Sequence, residues 1–229
     1  MSRSTFFVGA CLLLGSGLAS ATTSFGLCGT GFTNTSCTVQ GTEGSSVDAN
    51  WVLSVSSVVQ TNDITEPFAT VPNAWVAGSA GSTGGQWDAP GPNETSASTT
   101  NGAGPFDYTE TFTITAGEIL STAQITGNFA SDNGSTLTLN GHTIATLPAV
   151  GSFGALTAFT ITDTGADAGF FQLGTNTLEV AVSNSVNTPT GVIVEITTDN
   201  INTAPEPASS WLIGFGFASI GIIGRRLRS

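Results

Sequence analysis

The stretch that decides the fold is Thr136-Leu-Thr-Leu-Asn-Gly-His-Thr-Ile-Ala-Thr-Leu147. Runs that alternate apolar and polar residues flank Asn140-Gly141, which is the pattern of strands with one buried face. An Asn-Gly pair between two such runs favours a type I′ turn, because both central residues of that turn need a positive φ. This stretch therefore predicts a β-hairpin.

The strand pattern recurs through the middle of the chain. In Tyr108-Thr-Glu-Thr-Phe-Thr-Ile114 the apolar residues Tyr108, Phe112 and Ile114 share one face. Further strands are predicted at residues 51–59, 74–77, 119–130, 157–162, 178–182 and 192–196, and a long surface loop at 78–105. Helical periodicity is confined to the two terminal segments. Short strands at this spacing predict an all-β protein, an antiparallel β-sandwich.

Charge is distributed unevenly along the chain. The four basic residues, Arg3, Arg225, Arg226 and Arg228, lie at the two ends, so residues 22–204 contain neither Lys nor Arg. The whole chain carries a net charge of −12. A domain this acidic cannot neutralise phosphates, which argues against nucleic acid and anionic lipid as partners. The same acidity can attract divalent cations, although solubility alone also accounts for it.

The N-terminus has the order of a secretory signal peptide. Arg3 supplies the positive region, residues 6–18 the apolar helix, and Ala19-Ser20-Ala21 a cleavage site between small residues. The mature chain is therefore expected to begin near Thr22. A lipoprotein-type signal at Cys11 is the weaker alternative, since the apolar run continues past that cysteine.

The C-terminus contains three consecutive parts. Pro205-Glu206-Pro207 forms an extended junction, because proline fixes φ and lacks an N–H. The run 208–224 is uncharged, and its 17 residues reach the lower limit of the ~17–25 needed for a transmembrane helix. Arg225, Arg226 and Arg228 then follow, and the positive-inside rule keeps such residues in the cytoplasm.

This order resembles the PEP-CTERM sorting signal of exported bacterial proteins. Pro205, Glu206 and Pro207 match its name-giving motif, and Arg225, Arg226 and Arg228 match its basic tail. The resemblance implies an exosortase-type membrane protease as partner, with cleavage near the motif. A plain C-terminal membrane anchor is the alternative.

Cys28 and Cys37 are the cysteines that remain after signal removal. They enclose a short segment rich in turn-forming residues, and in an exported protein such a pair forms a disulfide. A loop this short stabilises the fold by ~2–3 kcal/mol. Metal binding by two cysteines and the distant His142 is not expected.

Three strings resemble the galactose-binding-like domains, including sugar-binding modules attached to glycosidases. They are Asp132-Asn133 with Leu139-Asn140-Gly141, Gly174-Thr-Asn-Thr-Leu178, and Pro189-Thr-Gly191. The likeness covers roughly residues 48–198 and implies that the sandwich is a jelly roll. Two departures matter for binding: this region has no basic residue to hold a sugar hydroxyl, and no complete calcium loop can be found in it.

Trp87 and Trp75 are the candidates for carbohydrate binding, because aromatic faces stack on the apolar faces of sugars. Trp87 is the better one, since its sequence neighbours are polar. Packing in the core is the favoured interpretation for Trp51 and for Trp75, and it remains an open alternative for Trp87.

Oxygen ligands for a structural calcium ion occur at Asp132-Asn-Gly-Ser135 and between Asp163 and Asp167. Neither stretch has EF-hand spacing, and metal-free turns with these residues are commoner. We therefore predict no metal-binding residues and no required cofactor, with structural calcium kept open.

Catalytic motifs are not evident. His142 is the only histidine, and no Gly-x-Ser-x-Gly motif occurs. Asp88, Asp107 and Glu110 are candidates for the paired carboxylates of glycoside hydrolysis, but no spacing singles out a pair. We predict that the chain is not an enzyme, with glycan hydrolase the least favoured function.

The sequence thus predicts a signal peptide at 1–21, a β-sandwich at 22–204 and a sorting signal with a transmembrane helix at 205–229. The predicted function is that of a non-catalytic protein, held transiently in the inner membrane and then delivered to the cell surface or extracellular matrix. Extracellular polysaccharide is the expected neighbour. A carbohydrate-binding module is the alternative function.

Overall fold

The predicted hairpin is confirmed. Strand β9 (Ser135–Leu139) pairs antiparallel with β10 (His142–Leu147). Asn140 has φ 51° and Gly141 has φ 80°, which are the two positive values that a type I′ turn requires. The computed structural model describes residues 20–65, 75–79, 84–92, 94, 104–185 and 188–205.

The described chain is built from strands. They are β1 (Thr22–Ser24), β2 (Ser46–Val47), β3 (Val52–Val55), β4 (Val58–Gln60), β5 (Asp63–Ile64), β6 (Asp88–Ala89), β7 (Phe106–Ile114), β8 (Glu118–Asp132), the hairpin β9–β10, β11 (Thr157–Thr162), β12 (Gly174–Val182) and β13 (Gly191–Thr203). Two 3-10 turns, Ser152–Gly154 and Gly165–Asp167, are the only helical elements in the described ranges.

The strands form two antiparallel sheets. One has seven strands in the order β11-β8-β13-β6-β5-β2, with β1 paired to β13, and the other has six in the order β10-β9-β12-β7-β3-β4. Side chains from both sheets share one core, among them Tyr108, Leu137 and Leu178 from the second sheet and Ile125, Phe129 and Val194 from the first. The all-β prediction and its antiparallel sandwich are therefore confirmed.

The predicted single strand at 51–59 is wrong, because the chain reverses within it. Ser56 (φ 50°) and Ser57 (φ 66°) form a tight turn, and Val55 pairs with Val58 across it. Strand β3 pairs with β7 only as far as Phe106, where β7 begins after Pro105. Because β3 has no partner beyond that point, the chain folds back on itself as β4.

Two further predictions are corrected in the segment before β7. Residues 75–79 form no strand, and residue 74 is outside the described residues. Part of the predicted surface loop at 78–105 is instead internal: β6 lies between β13 and β5, with Asp88 and Ala89 fully buried. A two-residue strand has too few residues to show an alternating pattern, and its burial depends on partners distant in sequence.

Most of the terminal segments lie outside the described residues. These include the predicted signal helix, the transmembrane helix, Ala19, Glu206, Pro207, Arg225, Arg226 and Arg228. In the ranges that the structure does describe, no helix has the length and apolar character needed to cross a membrane. Thr22–Thr203 forms one compact unit, and within it Thr22 pairs with Asn202.

Candidate functional site

The two tryptophans predicted to contact sugar are buried. Trp87 is 2% exposed and Trp75 is 6% exposed, and their ring centroids are 4.2 Å apart. Each indole N–H donates a hydrogen bond within the protein, Trp75 to Asp132 Oδ2 and Trp87 to the carbonyl of Val76, both at 2.8 Å. Both rings therefore pack in the core, the interpretation favoured for Trp75 and left open for Trp87, and each covers the other.

Other aromatic faces are covered as well. Trp51 is in the main core, as predicted, and donates from Nε1 to the carbonyl of Cys28 at 3.0 Å. Throughout the described ranges, no Phe, Tyr or Trp is exposed. The exposed His142 stacks on the half-buried Phe170, with ring centroids 4.3 Å apart. In these ranges no Phe, Tyr or Trp ring is therefore fully exposed for stacking on a sugar.

An open groove lies beside the β3–β4 hairpin, and we call it the β3–β4 groove. Its volume is about 550 Å³. It is lined by apolar side chains (Val47, Trp51, Val52, Leu53, Val59) and by polar ones (Asp48, Gln60, Thr61, Asn62). Val47, Val52 and Val59 are exposed, whereas Asp48 and Asn62 are buried. The groove thus combines an apolar rim with buried polar groups.

The Asp48 carboxylate is held by backbone donors. It accepts hydrogen bonds from the N–H groups of Gly31, Asn50 and Trp51. The Asp48 N–H in turn donates to the carbonyl of Asn62 at 2.9 Å. These three backbone donors fix the orientation of the Asp48 carboxyl group beside the groove.

Asp88 lies behind this anion and is fully buried. Its Oδ2 accepts from Asn62 Nδ2 at 3.0 Å, while Oδ1 has no hydrogen-bond donor in the described structure. Burial raises the pKa of the Asp88 carboxyl well above its ordinary value, and the adjacent Asp48 carboxylate raises it further. Burial and the neighbouring Asp48 thus both favour the protonated form of Asp88.

Glu110 is a second buried acid, and its place in the core was not predicted from the sequence. It lies on the inward face of β7, the face that also carries Tyr108 and Phe112. Its Oε1 accepts from the N–H of Cys28 at 2.9 Å, and Oε2 has no donor in the described structure. Burial is the main reason that the pKa of Glu110 is raised well above its usual range. The alternation in Tyr108–Ile114 places Glu110 on the same face as Tyr108 and Phe112, so this pattern could have predicted its burial.

The candidate catalytic carboxylates do not converge on one site. Asp107 and Glu110 are three residues apart on β7, so their side chains project from opposite faces of the sheet. Asp88 lies on the other sheet. These positions provide no pair of carboxylates for glycoside hydrolysis.

The two stretches with oxygen atoms that could bind calcium use their carboxylates in local hydrogen bonds. Asp132 accepts the Trp75 indole N–H, and Asp163 Oδ1 accepts from the N–H of Gly169 at 2.8 Å. No group of three or more His, Cys, Asp or Glu side chains is placed to hold a metal ion, as far as the described residues extend.

The predicted disulfide between Cys28 and Cys37 is confirmed, with a Cα–Cα distance of 5.3 Å. Cys28 also connects the groups described above through its backbone. Its N–H binds Glu110 and its carbonyl binds Trp51. The disulfide therefore fixes the segment that supports both the buried acid and the indole ring lining the groove.

Comparison with known proteins gives structural matches alone. No family model and no curated protein matches this chain. One matching solved structure is a family 35 carbohydrate binding module from an environmental isolate, with a TM-score of 0.29 and 15% identity over 68% of this chain and 98% of that one. Another is CBM35 from Cellvibrio japonicus Abf62, with a TM-score of 0.26 and 11% identity over 66% of this chain and 98% of that one. Both scores are low, so carbohydrate binding is a property of those modules and carries no argument for this chain.

Proposed function

We propose that the chain is an exported, non-catalytic surface or extracellular-matrix protein that an exosortase-type protease processes near Pro205-Glu206-Pro207. The supporting observation is the order of the last 25 residues, a Pro-Glu-Pro junction, an uncharged run and three arginines. The structure adds that Pro205 is exposed and follows the end of β13 at Thr203 by two residues. Pro205, the first residue of the motif, therefore lies outside the folded sheet.

Sorting can be tested by fractionating cells that produce the full chain or its variants. Moving the three arginines through the membrane would cost ~2.5–3.5 kcal/mol for each arginine at the bilayer centre, and this barrier holds the full chain in the membrane. Deleting residues 205–229 removes the barrier and should release the domain into the medium. Replacing Pro205, Glu206 and Pro207 by alanine should leave the protein tethered and unprocessed. Pro92→Ala, which alters an exposed proline elsewhere, is the control. Release of the triple variant at the parental level would contradict the proposal.

A second candidate is a carbohydrate-binding module of jelly-roll type, and the β3–β4 groove is the observation that favours it. Its volume of about 550 Å³ is within the range of ~300–1,000 Å³ for small-ligand sites. The exposed valines can contact apolar sugar faces, and the exposed Gln60 side chain can bind hydroxyl groups.

A glycan array with the full-length protein tests this candidate. Gln60→Ala, at an exposed groove position, should reduce any binding, and Thr143→Ala on β10 should not. Binding that is unaffected by Gln60→Ala would place the sugar elsewhere. Trp87→Ala is unsuitable as a probe of binding, because that ring is part of the core.

A further inference from the structure

Strand β4 is at the free edge of the six-stranded sheet. Among the described strands it pairs with β3 alone, and its residues Val58, Val59 and Gln60 are all exposed. Proteins usually protect such an edge with charged side chains, proline or a β-bulge, because unpaired backbone N–H and C=O groups can pair with another strand. Strand β4 contains none of these, so its edge is open to pairing.

The backbone of Val59 points toward this free edge. A two-residue turn at residues 56–57 places Val55 opposite Val58, and the turn makes them a hydrogen-bonded pair. Hydrogen-bonded and non-hydrogen-bonded pairs alternate along antiparallel strands, so Ser54 and Val59 form a non-hydrogen-bonded pair. The N–H and C=O of Val59 therefore face away from β3, where they can pair with another strand.

Exposed valines surround these backbone groups. Val59 is 71% exposed, Val58 63% and Val52 47%. Val52 and Val59 share one face of the hairpin, because Val59 lies opposite Ser54 and side chains alternate along a strand. A strand that paired with β4 would therefore also cover apolar side chains.

Charge favours a second copy of this chain as the partner. No charged residue occurs between Asp48 and Asp63, although residues 22–204 contain many acidic residues and no Lys or Arg. A basic partner would find no carboxylate on the hairpin itself. Contact between two acidic domains costs least where neither copy carries a charge, because like charges directly opposite each other are destabilising.

The hairpin lies at the end of the domain opposite its chain ends. Val55 pairs with Phe106, the first residue of β7, and Phe106 also pairs with the last residue of β12. The next strand, β13, begins at Gly191 shortly after β12 ends, and it runs the length of the sheet to Thr203 beside β1. Segments attached to either end of the domain therefore leave it away from β4.

We propose that two copies of this chain associate by antiparallel pairing of their β4 strands. Identical edges are complementary to each other across a two-fold axis. With Val59 at the axis, the N–H of each Val59 donates to the C=O of the other, and the two six-stranded sheets become continuous. The two Val59 side chains then lie next to each other on one face. The proposal depends neither on sorting nor on carbohydrate binding.

A cysteine at position 59 tests the geometry. Full-length Val59→Cys protein, purified in detergent and oxidised, should form a disulfide-linked dimer, because opposed Cα atoms in such a pair are ~5.5 Å apart, which a disulfide can span. Val150→Cys is the matched control, since Val150 is 87% exposed and lies outside the hairpin. It should yield clearly less dimer. No dimer from Val59→Cys, or equal yields from the two variants, would overturn the proposal.

Val59→Pro tests the backbone contact, because proline removes the outward N–H and none that pairs with β3. Proline is tolerated in edge strands in this orientation. In sedimentation velocity of the full-length proteins, the parent and Val59→Thr should dimerise as concentration rises, and Val59→Pro should remain monomeric. Added NaCl should strengthen the dimer, since each chain carries a net charge of −12 and salt screens the repulsion.

Three sedimentation results would overturn the proposal: a parent protein that stays monomeric, dimerisation of Val59→Pro at the parental level, or dissociation of the dimer by salt. The last would indicate an ionic contact in place of the uncharged one. If Val59→Pro does not fold, the parent protein and the two cysteine variants decide the matter.

Discussion

Two regions of the domain differ in how the sequence determines their structure. The first region consists of β7, β9 and β12, and the second is the segment 44–94. Strand β7 pairs with β12 over nine residues, and its buried and exposed residues alternate along most of its length. In the segment 44–94, β2, β5 and β6 have two residues each. The long strands are therefore encoded locally, while the short ones depend on contacts with distant parts of the chain.

Both regions bury polar side chains, Glu110 and Asn176 in the first and Asp48, Asn62, Asp88 and Glu94 in the second. In the second region they lie among strands of only two residues, together with Trp75 and Trp87. Hydrogen bonds connect these residues to distant segments, for example Asp48 to Gly31, and Glu94 to Thr190. In the second region, hydrogen bonds between buried polar side chains and distant backbone hold the short strands in place. The structure of this region is therefore sensitive to any substitution that removes one of those hydrogen bonds.

The largest expected effect is that of Trp87→Ala. Removing a large buried aromatic side chain should lower the free energy of unfolding by ~3–5 kcal/mol. Leu178→Ala in the first region should lower the free energy of unfolding by ~2–5 kcal/mol. Val58→Ala, at an exposed position, should change it by no more than about 0.5 kcal/mol. Urea unfolding followed by circular dichroism measures all three. A neutral Trp87→Ala would show that the second region does not contribute to the cooperative fold.

Loss of the disulfide is expected to have the next largest effect. Replacing Cys28 and Cys37 by serine should cost ~2–3 kcal/mol, because the unfolded chain regains the freedom of the closed loop. Reductant should destabilise the parent protein by the same amount and leave the double variant unchanged. If reductant destabilised both equally, the effect would not arise from this bond. Alkylation of either thiol in unreduced exported protein would contradict the pairing itself.

A smaller effect is expected from pH. The pKa of Asp88 is raised in the folded state, so the folded protein retains a proton that the unfolded chain loses above about pH 4. Stability from this group is therefore complete below the unfolded pKa and is lost as the pH rises toward the folded one. Raised pKa values at Glu110, Asp132 and Asp63 have the same sign. With a chelator present, the protein should unfold at lower urea concentration at pH 8 than at pH 5.

Asp88→Asn isolates this contribution, because asparagine keeps the donor but cannot ionise. At pH 8 with a chelator, the variant should be more stable than the parent by on the order of 1–3 kcal/mol, the range for a buried group left without its partner. At pH 4 the two proteins should be nearly equal. Parallel stability profiles from pH 4 to pH 8 would exclude Asp88 as the source of the pH dependence.

The smallest effect should come from the two tight turns, one in each region. Asn140-Gly141 suits a turn with two positive φ values, whereas Ser56-Ser57 adopts the same sign of φ without glycine. Replacing Ser56-Ser57 by Asn-Gly should stabilise the protein by ~1 kcal/mol, because a non-glycine residue in the left-handed region costs roughly 1–2 kcal/mol. Replacing Asn140-Gly141 by Ser-Ser should destabilise it. Urea unfolding measures both changes, and a destabilising Asn-Gly at residues 56–57 or a stabilising Ser-Ser at residues 140–141 would contradict the prediction.

The sequence predicted those elements whose determinants are close together in the chain. The hairpin at Asn140-Gly141, the inward face of Tyr108, Phe112 and Ile114, and the long strand now seen as β8 are all confirmed. The Cys28–Cys37 pair also followed from local spacing. In each case neighbouring residues determine both the conformation and which side is buried.

The groove and its buried acids could not be predicted in the same way. Asp88 acquires its role from Asp48 and Asn62, which precede it by 40 and 26 residues. Trp87 was assigned to a surface loop because its sequence neighbours are polar, but the ring that covers it is that of Trp75. Polar neighbours in sequence do not show whether a side chain faces solvent when strands are only two residues long.

The pairing of β1 with the end of β13 determines where this domain can be attached. Because Thr22 lies beside Asn202, a segment before Thr22 and one after Asn202 leave the sheet at the same place. Asp88 pairs with Val192, at the opposite end of β13. Ten residues of extended strand separate Val192 from Asn202, which is roughly 30 Å at the usual rise per residue. A domain held at its termini would therefore place β6, with Asp88, at that distance from the end of the sheet where both chain ends leave it.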